Sequence, residues 1–155
     1  MASLAAGATA PDFELATDGG GRIALHEFRG RKLVLFFYPK ADTPGCTKES
    51  IAFSNLRAAF ASAGTEVVGV SADPVKAQDA FKAKHNLTVA LASDPTRAML
   101  DAYGVWGQRS MYGKTFMGIL RTTFLIGPDG RIARIWRNVK VEGHAEDVLA
   151  AARAL

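Results

Sequence analysis

One residue type is all but missing from this chain of 155 residues: it has a single cysteine, Cys46. A lone thiol excludes an intrachain disulfide, a Cys-x-x-Cys redox pair and any zinc site built from several thiolates. Basic runs are missing too. The formal charge is +4 and the sequence pI about 9.4, yet Lys and Arg are scattered, with no run of five or more. That charge reads as a solvated surface and not as a nucleic-acid patch. No uninterrupted apolar stretch approaches the ~18 residues of a membrane span. His26, His85 and His144 fall in separate segments without the His-x-x-x-His spacing of a metal site. They read as structural or surface groups, and neither metal nor cofactor is expected. Met1-Ala2-Ser3-Leu4 has no basic start and no long apolar core of a targeting segment. With no internal repeat and no linker, the expectation is a soluble, cytoplasmic protein with one domain, 1–155. Its 48% hydrophobic and 22% charged residues are ordinary globular values, and the length suffices to bury a substantial core.

What is present is organised around Phe36-Phe37-Tyr38-Pro39-Lys40-Ala41-Asp42-Thr43-Pro44-Gly45-Cys46-Thr47-Lys48-Glu49. The apolar segment from Leu33 to Tyr38 reads as a buried strand. After the stretch, apolar residues at Ile51, Phe53, Leu56 and Phe60 recur at helical spacing as far as Gly64. Between strand and helix sits a start signal: Thr43 as N-cap and Pro44 at the first helical position. Cys46 then lies in the first helical turn. Unpaired N–H groups and the positive dipole end favour an anion there, which is where thiols become nucleophiles.

The rest of the chain supplies the frame. Phe13-Glu14-Leu15 and Arg22 to Leu25 flank Asp18-Gly19-Gly20-Gly21 as a hairpin. Glu66 to Ser71 reads as a second buried strand, Asp73-Pro74 opens a helix ending at Lys84-His85-Asn86, and Val89 to Ala92 is a short strand. Asp94-Pro95 starts another helix, closed by Gly104. Trp106 to Met117 reads as a glycine-punctuated loop whose large apolar groups either cover a core edge or line a site. Ile119 to Ile126 is a strand, Gly127-Pro128-Asp129-Gly130 a turn, Arg131 to Trp136 the return strand, and Gly143 to Leu155 a final helix. Trp106 and Trp136 read as packing groups. Continuous apolar strands imply a sheet covered on both faces. The order predicts an α/β, thioredoxin-like sandwich with a central mixed sheet and an N-terminal β-hairpin.

The sequence at this point resembles the peroxiredoxins, specifically the bacterioferritin comigratory protein or Q-type group. Pro39, Thr43 and Cys46 form the pattern Pro-x-x-x-Thr-x-x-Cys, inside Phe37-Tyr38-Pro39-Lys40 and Thr43-Pro44-Gly45-Cys46-Thr47-Lys48-Glu49. Tyr112-Gly113-Lys114, Gly118-Ile119, Arg121-Thr122-Thr123-Phe124-Leu125-Ile126 and Val139 to Ala145 are similar to the group's later blocks. The resemblance implies a peroxidase in which the Cys46 thiolate attacks a hydroperoxide and becomes a sulfenic acid. Arg121, a permanent cation, holds thiolate and peroxide together. The Thr43 hydroxyl donates to the thiolate or accepts from the peroxide, besides its N-cap role. Pro39 walls off the sulfur, and Glu49 fixes the orientation of Arg121. The N–H groups at Gly45 and Cys46 stabilise charge on the leaving oxygen. Gly45, Tyr38, Met111, Tyr112, Phe116 and Met117 are the expected peroxide-binding residues, with the loop Trp106 to Met117 as one wall of the pocket.

The chain departs from the group in one respect. Many members carry a resolving cysteine five residues after the first, where Ile51 stands here, or in a later helix, where Phe81 to His85 holds none. The sulfenic acid must therefore be reduced by an outside thiol: thioredoxin, glutaredoxin or glutathione. The expected state is a monomer or weak dimer. A redox sensor that passes oxidation from Cys46 to a partner protein would use the same site. A non-catalytic binding module has no need of Pro39, Thr43, Cys46 and Arg121 together.

Overall fold

The computed structural model describes residues 4–155. Its strands are β1 (Glu14–Thr17), β2 (Arg22–Ala24), β3 (Lys32–Phe37), β4 (Thr65–Ser71), β5 (Ala90–Ser93), β6 (Trp106–Met111), β7 (Lys114–Ile119), β8 (Thr122–Ile126) and β9 (Ile132–Trp136). Its helices are α1 (Pro44–Asn55), α2 (Arg57–Ser62), α3 (Val75–His85), α4 (Ala98–Ala102) and α5 (His144–Ala154). Seven strands form one mixed sheet in the order β2-β1-β5-β4-β3-β8-β9. β3 pairs in parallel with β4 and antiparallel with β8, so the strand that leads into Cys46 lies beside the strand that follows Arg121. This is the thioredoxin-like architecture, with the β1–β2 hairpin added at the β5 edge.

Side-chain alternation along β3 divides the core in two. Leu33, Leu35 and Phe37 join one cluster with Phe13, Val68, Leu100, Tyr103 and Phe124. Val34, Phe36 and Tyr38 point the other way, into a cluster with Phe53 of α1, Phe60 of α2, Phe81 of α3 and Val148 of α5. Cys46 belongs to this second cluster. Phe53 stacks on Phe36, with ring centroids 4.6 Å apart and planes at 16°, and so presses α1 onto the sheet. Gly69 of β4 lies opposite Phe36. A Cβ there would come within 2.6 Å of the Phe36 ring, so only glycine lets that ring lie across the sheet.

Four expectations change. The stretch from Trp106 to Met117 is not a loop but a β-ribbon, β6–β7. Tyr112 and Gly113 both have positive φ, 53° and 77°, as a two-residue type I′ turn requires. Ile119 to Ile126 is not one strand. Leu120 and Arg121 leave the sheets between β7 and β8, because the Leu120 N–H bonds back to the Val105 carbonyl and the Arg121 carbonyl accepts the Val139 N–H. The helix after Cys46 breaks at Leu56, whose ψ is 3°. Its N–H tightens onto the Phe53 carbonyl, which brings Phe53 and Phe60 into the same cluster, centroids 5.9 Å apart. Asp94 does not start a helix directly. It is buried and its carboxylate accepts the Leu100 N–H from outside, while Arg97 at φ 66° turns the chain into α4.

Phe53 is fully buried, so Phe53→Ala leaves a cavity under α1. We expect a stability loss of about 3–5 kcal/mol, read from urea unfolding. A loss no larger than that of a surface substitution would mean α1 is held by other contacts.

Candidate active site

Thr43 ends the turn after β3 in an extended conformation (φ −97°, ψ 155°), and Pro44 begins α1. The Thr43 hydroxyl does not cap the helix. It donates instead to the Lys40 carbonyl at 2.7 Å, and the N-cap makes no side-chain hydrogen bond to this end. Cys46, in the first turn, is 1% exposed. Its Sγ accepts a hydrogen bond from Arg121 Nη2 at 3.4 Å. Arg121 Nη1 donates to Glu49 Oε1 at 2.6 Å. One guanidinium thus spans Cys46 and Glu49, which lie three residues apart on one face of α1. A Cβ on Gly45 would meet Arg121 Nη2 at 3.1 Å. The absence of a side chain at Gly45 is what lets the cation come down beside the sulfur.

The electrostatics follow from burial. Glu49 is 1% exposed, and its Oε2 has no partner among the described residues. Burial pushes the Glu49 carboxyl up to about 7, against the opposing pull of the Arg121 charge and hydrogen bond. For Arg121, burial works against the cation, but Glu49 and Cys46 outweigh it and hold the guanidinium more firmly protonated than usual. His144 is driven down to about 4, mainly by burial, and is therefore neutral near pH 7. Its Nε2 lies 2.8 Å from Thr123 Oγ1, and its ring sits edge-on between Phe53 and Trp136. It fastens α5 to β8, two residues from Arg121.

A cavity of about 590 Å³ opens onto this group. Pro39, Thr43, Gly45, Cys46 and Arg121 line it, with Phe116 and Met117 from the ribbon. Tyr38 and Tyr112 do not. Tyr38 is fully buried in the core, where burial pushes its hydroxyl pKa up and its proton goes to Gln78 Oε1. Tyr112 occupies the ribbon turn and is 96% exposed. The side chain of Met111 lies outside the described residues. Glu49 sits behind Arg121 and not on the cavity surface. Trp106 and Arg109 also line the cavity, from the stretch expected to form one wall, and Lys40, Asp73 and Ile119 line it from outside the expected set. Trp106 also packs as expected, against the first core cluster.

A second cavity, of about 310 Å³, lies among His26, Phe28, Arg29 and Arg31 and contains none of the expected site residues. Among the described residues no three or more His, Cys, Asp or Glu side chains are grouped to hold a metal ion. No helix there is long and apolar enough to cross a membrane.

Residues 6–135 match the AhpC/TSA family. Peroxiredoxin Bcp of Xanthomonas campestris is 45% identical over 143 residues, covering 92% of this chain and 89% of that protein. Among solved structures, the bacterioferritin comigratory protein of Xanthomonas campestris, described for its alkyl peroxide reduction activity, superposes with a TM-score of 0.87 at 44% identity. That match covers 92% of this chain and 90% of the other. A cysteine-to-serine mutant of Xylella fastidiosa PrxQ gives a TM-score of 0.93 at 39% identity over 99% and 98% of the two chains.

Glu49 also generates a pH dependence. Its folded pKa of about 7 lies above the ordinary 4.5. A carboxyl raised in this way contributes its full stability below about 4.5 and loses it as pH rises through about 7. Unfolding midpoints of wild type should therefore carry a falling component across that window. Glu49→Gln keeps an acceptor for Arg121 but cannot ionise, and should flatten that component. An unchanged slope in Glu49→Gln would assign the pH dependence to other groups.

Proposed function

The chain belongs to the AhpC/TSA family, and within it to the peroxiredoxins of the Bcp or Q group, and on that premise we propose how it acts as a thiol peroxidase. It reduces hydrogen peroxide and alkyl hydroperoxides through a Cys46 sulfenic acid that an external thiol recycles, in the cytoplasm. The observation that carries this reading is the 3.4 Å contact between Arg121 Nη2 and Cys46 Sγ at an uncapped helix start. A permanent cation and the helix dipole there can stabilise negative charge that develops as sulfur attacks the peroxide.

In the first half-reaction the Cys46 thiolate attacks the oxygen that carries the peroxide proton. An S–O bond forms and the O–O bond breaks. Sulfur is oxidised to the sulfenic acid, and the leaving alkoxide or hydroxide takes a proton from water to become alcohol or water. Arg121 faces the charge as it passes from sulfur to oxygen. The Thr43 proton is committed to the Lys40 carbonyl, which leaves the Thr43 oxygen to accept from the peroxide O–H. Pro39 and the apolar Phe116 and Met117 border the same space, which suits a hydroperoxide with an organic group. The precedent for that class is the alkyl peroxide reduction activity of the Xanthomonas campestris relative.

In the second half-reaction a thiol attacks the sulfenic sulfur, giving a mixed disulfide and water. A second thiol then releases reduced Cys46 and leaves as a disulfide. With one cysteine in the chain, both thiols come from outside: thioredoxin, glutaredoxin or glutathione.

Cys46→Ser should abolish peroxide consumption and keep the fold. Arg121→Ala should slow oxidation of Cys46 by about 10²-fold or more, the loss typical of a removed transition-state donor. Stopped-flow peroxide consumption measures both, and a trapping reagent should find sulfenic acid in oxidised wild type. Peroxide turnover in Cys46→Ser near the wild-type rate would overturn the reading.

A further inference from the structure

The turn that carries Thr43 is anchored by a carboxylate that belongs to neither strand β3 nor helix α1. Asp73 stands between β4 and α3. Its Oδ2 accepts the backbone N–H of Ala41 at 2.7 Å and the Ser71 hydroxyl at 2.7 Å. Ser71 is itself fixed, because its Oγ accepts from Gln78 Nε2 at 2.9 Å. Gln78 is fully buried and is held by Tyr38 and by the Ala92 carbonyl. The chain of contacts runs from the sheet through Gln78, Ser71 and Asp73 to Ala41. Every link is a short hydrogen bond to a half-buried or buried group, the setting in which such bonds define one geometry.

Asp42, the next residue, sits at φ 61° and reaches the other end of α3. Its carboxylate oxygens meet Lys84 Nζ and His85 Nε2, each at 2.8 Å. The turn between β3 and α1 is thus pinned at two consecutive residues, Ala41 to Asp73 just before α3 and Asp42 to the C-terminal end of α3. Thr43 follows directly, with its hydroxyl on the Lys40 carbonyl. Asp73 also borders the cavity that holds Cys46 and Thr43.

We propose that Asp73 is a positioning residue for peroxide reduction: by holding the Ala41 N–H it sets where the Thr43 oxygen meets the peroxide. This rests on the peroxidase reading above. The contribution is one of placement. A reactive group displaced by about 1 Å costs up to about 10²-fold in rate, and Thr43 lies two residues from the anchored N–H. Asp73 acts through the loop and not by its charge on the sulfur.

Two substitutions separate placement from charge. Asp73→Asn keeps an oxygen where Oδ2 stands and removes the charge. Asp73→Glu keeps the charge and moves the oxygen by one methylene. Two reactions of Cys46 are followed in each: oxidation by hydrogen peroxide, which uses Thr43, and alkylation by iodoacetamide, which does not. The expected result is a peroxide rate in Asp73→Asn within a few-fold of wild type, and a loss of about tenfold or more in Asp73→Glu, with alkylation unchanged in both. Hydrogen exchange should show faster exchange at residues 40–43 in Asp73→Glu while β4 stays protected.

The opposite pattern, a slow Asp73→Asn and a normal Asp73→Glu, would show that the charge acts and overturn the proposal. Equal losses in both reactions would make Asp73 merely structural and overturn it as well. If Asp73→Glu does not fold, Ser71→Ala replaces it. That variant removes one of the two bonds that aim Oδ2, and it should slow peroxide but not iodoacetamide; no difference overturns the proposal. Wild type that does not react with peroxide at all would instead sink the peroxidase reading.

Discussion

Arg121 lies half-buried between a buried thiol and a buried carboxylate, and much of the architecture is a consequence of holding it there. A guanidinium taken out of water needs partners for its charge and its N–H groups, and removing one partner of a buried pair costs about 3–5 kcal/mol. Glu49 and Cys46 supply those partners from consecutive turns of one helix face. For both to face the same cation, α1 must begin at Pro44 and pack with Phe53 on Phe36. Gly45 must lack a side chain. Arg121 must leave the sheet, which is why β7 and β8 are separated by two residues whose backbone groups pair with Val105 and Val139. The pairing of β3 with β8 then places the two halves side by side.

The pair is poised rather than saturated. Glu49 offers only one oxygen to Arg121, and its other oxygen has no partner among the described residues. Burial and the cation pull its ionisation in opposite directions, with burial stronger. The guanidinium therefore has two claims on it, one from behind and one from the sulfur. In the proposed mechanism, as the sulfur gives up its charge to a leaving oxygen, Glu49 would still hold the guanidinium in place. His144 stays neutral beside this group, so it braces β8 against α5 without adding a competing cation.

The sheet and its two coverings were legible because β3, β4 and β8 are continuous apolar runs and their faces alternate. The hairpin of β1 and β2 was legible from the Asp18 to Gly21 turn. The grouping of Cys46, Thr43, Pro39 and Arg121 was legible through the family resemblance and not through periodicity, since nothing in spacing alone brings Arg121 to α1. The ribbon was not legible. Its turn is Tyr112-Gly113 where Asn-Gly would be the usual sign, and its strands mix polar and apolar groups because much of the ribbon stands in solvent. Tyr38 and Tyr112 were misplaced for a related reason. Tyr38, directly after β3, keeps its N–H on the Val70 carbonyl and is buried in the core, while Tyr112 at the hairpin tip points at water. Neither direction can be read from composition. Asp73 was invisible as a site residue because its partner is a backbone N–H of another segment, which leaves no trace in the sequence.

Under the proposed function these constraints bear on how the cycle closes. A resolving cysteine five positions on would have to close on Cys46 within a helix, where the Cα atoms of residues five apart are roughly 8–9 Å from each other by helical rise and turn. That exceeds the ~7 Å limit for a disulfide, so the first turn of α1 would have to unwind. Here Ile51 occupies the position and packs, half-buried, against the second core cluster. Phe53 holds the following turn on the sheet, Asp73 between β4 and α3 holds the preceding turn, and Asp42 ties that turn to α3. All of these contacts favour α1 in its wound form, and no internal thiol rewards opening it. Under the proposed one-cysteine mechanism the tethers therefore work with the chemistry: they hold Thr43, Cys46 and Arg121 together. In the proposed cycle the cost falls on recycling, because an outside thiol has to reach a sulfur that borders the cavity and is nearly enclosed.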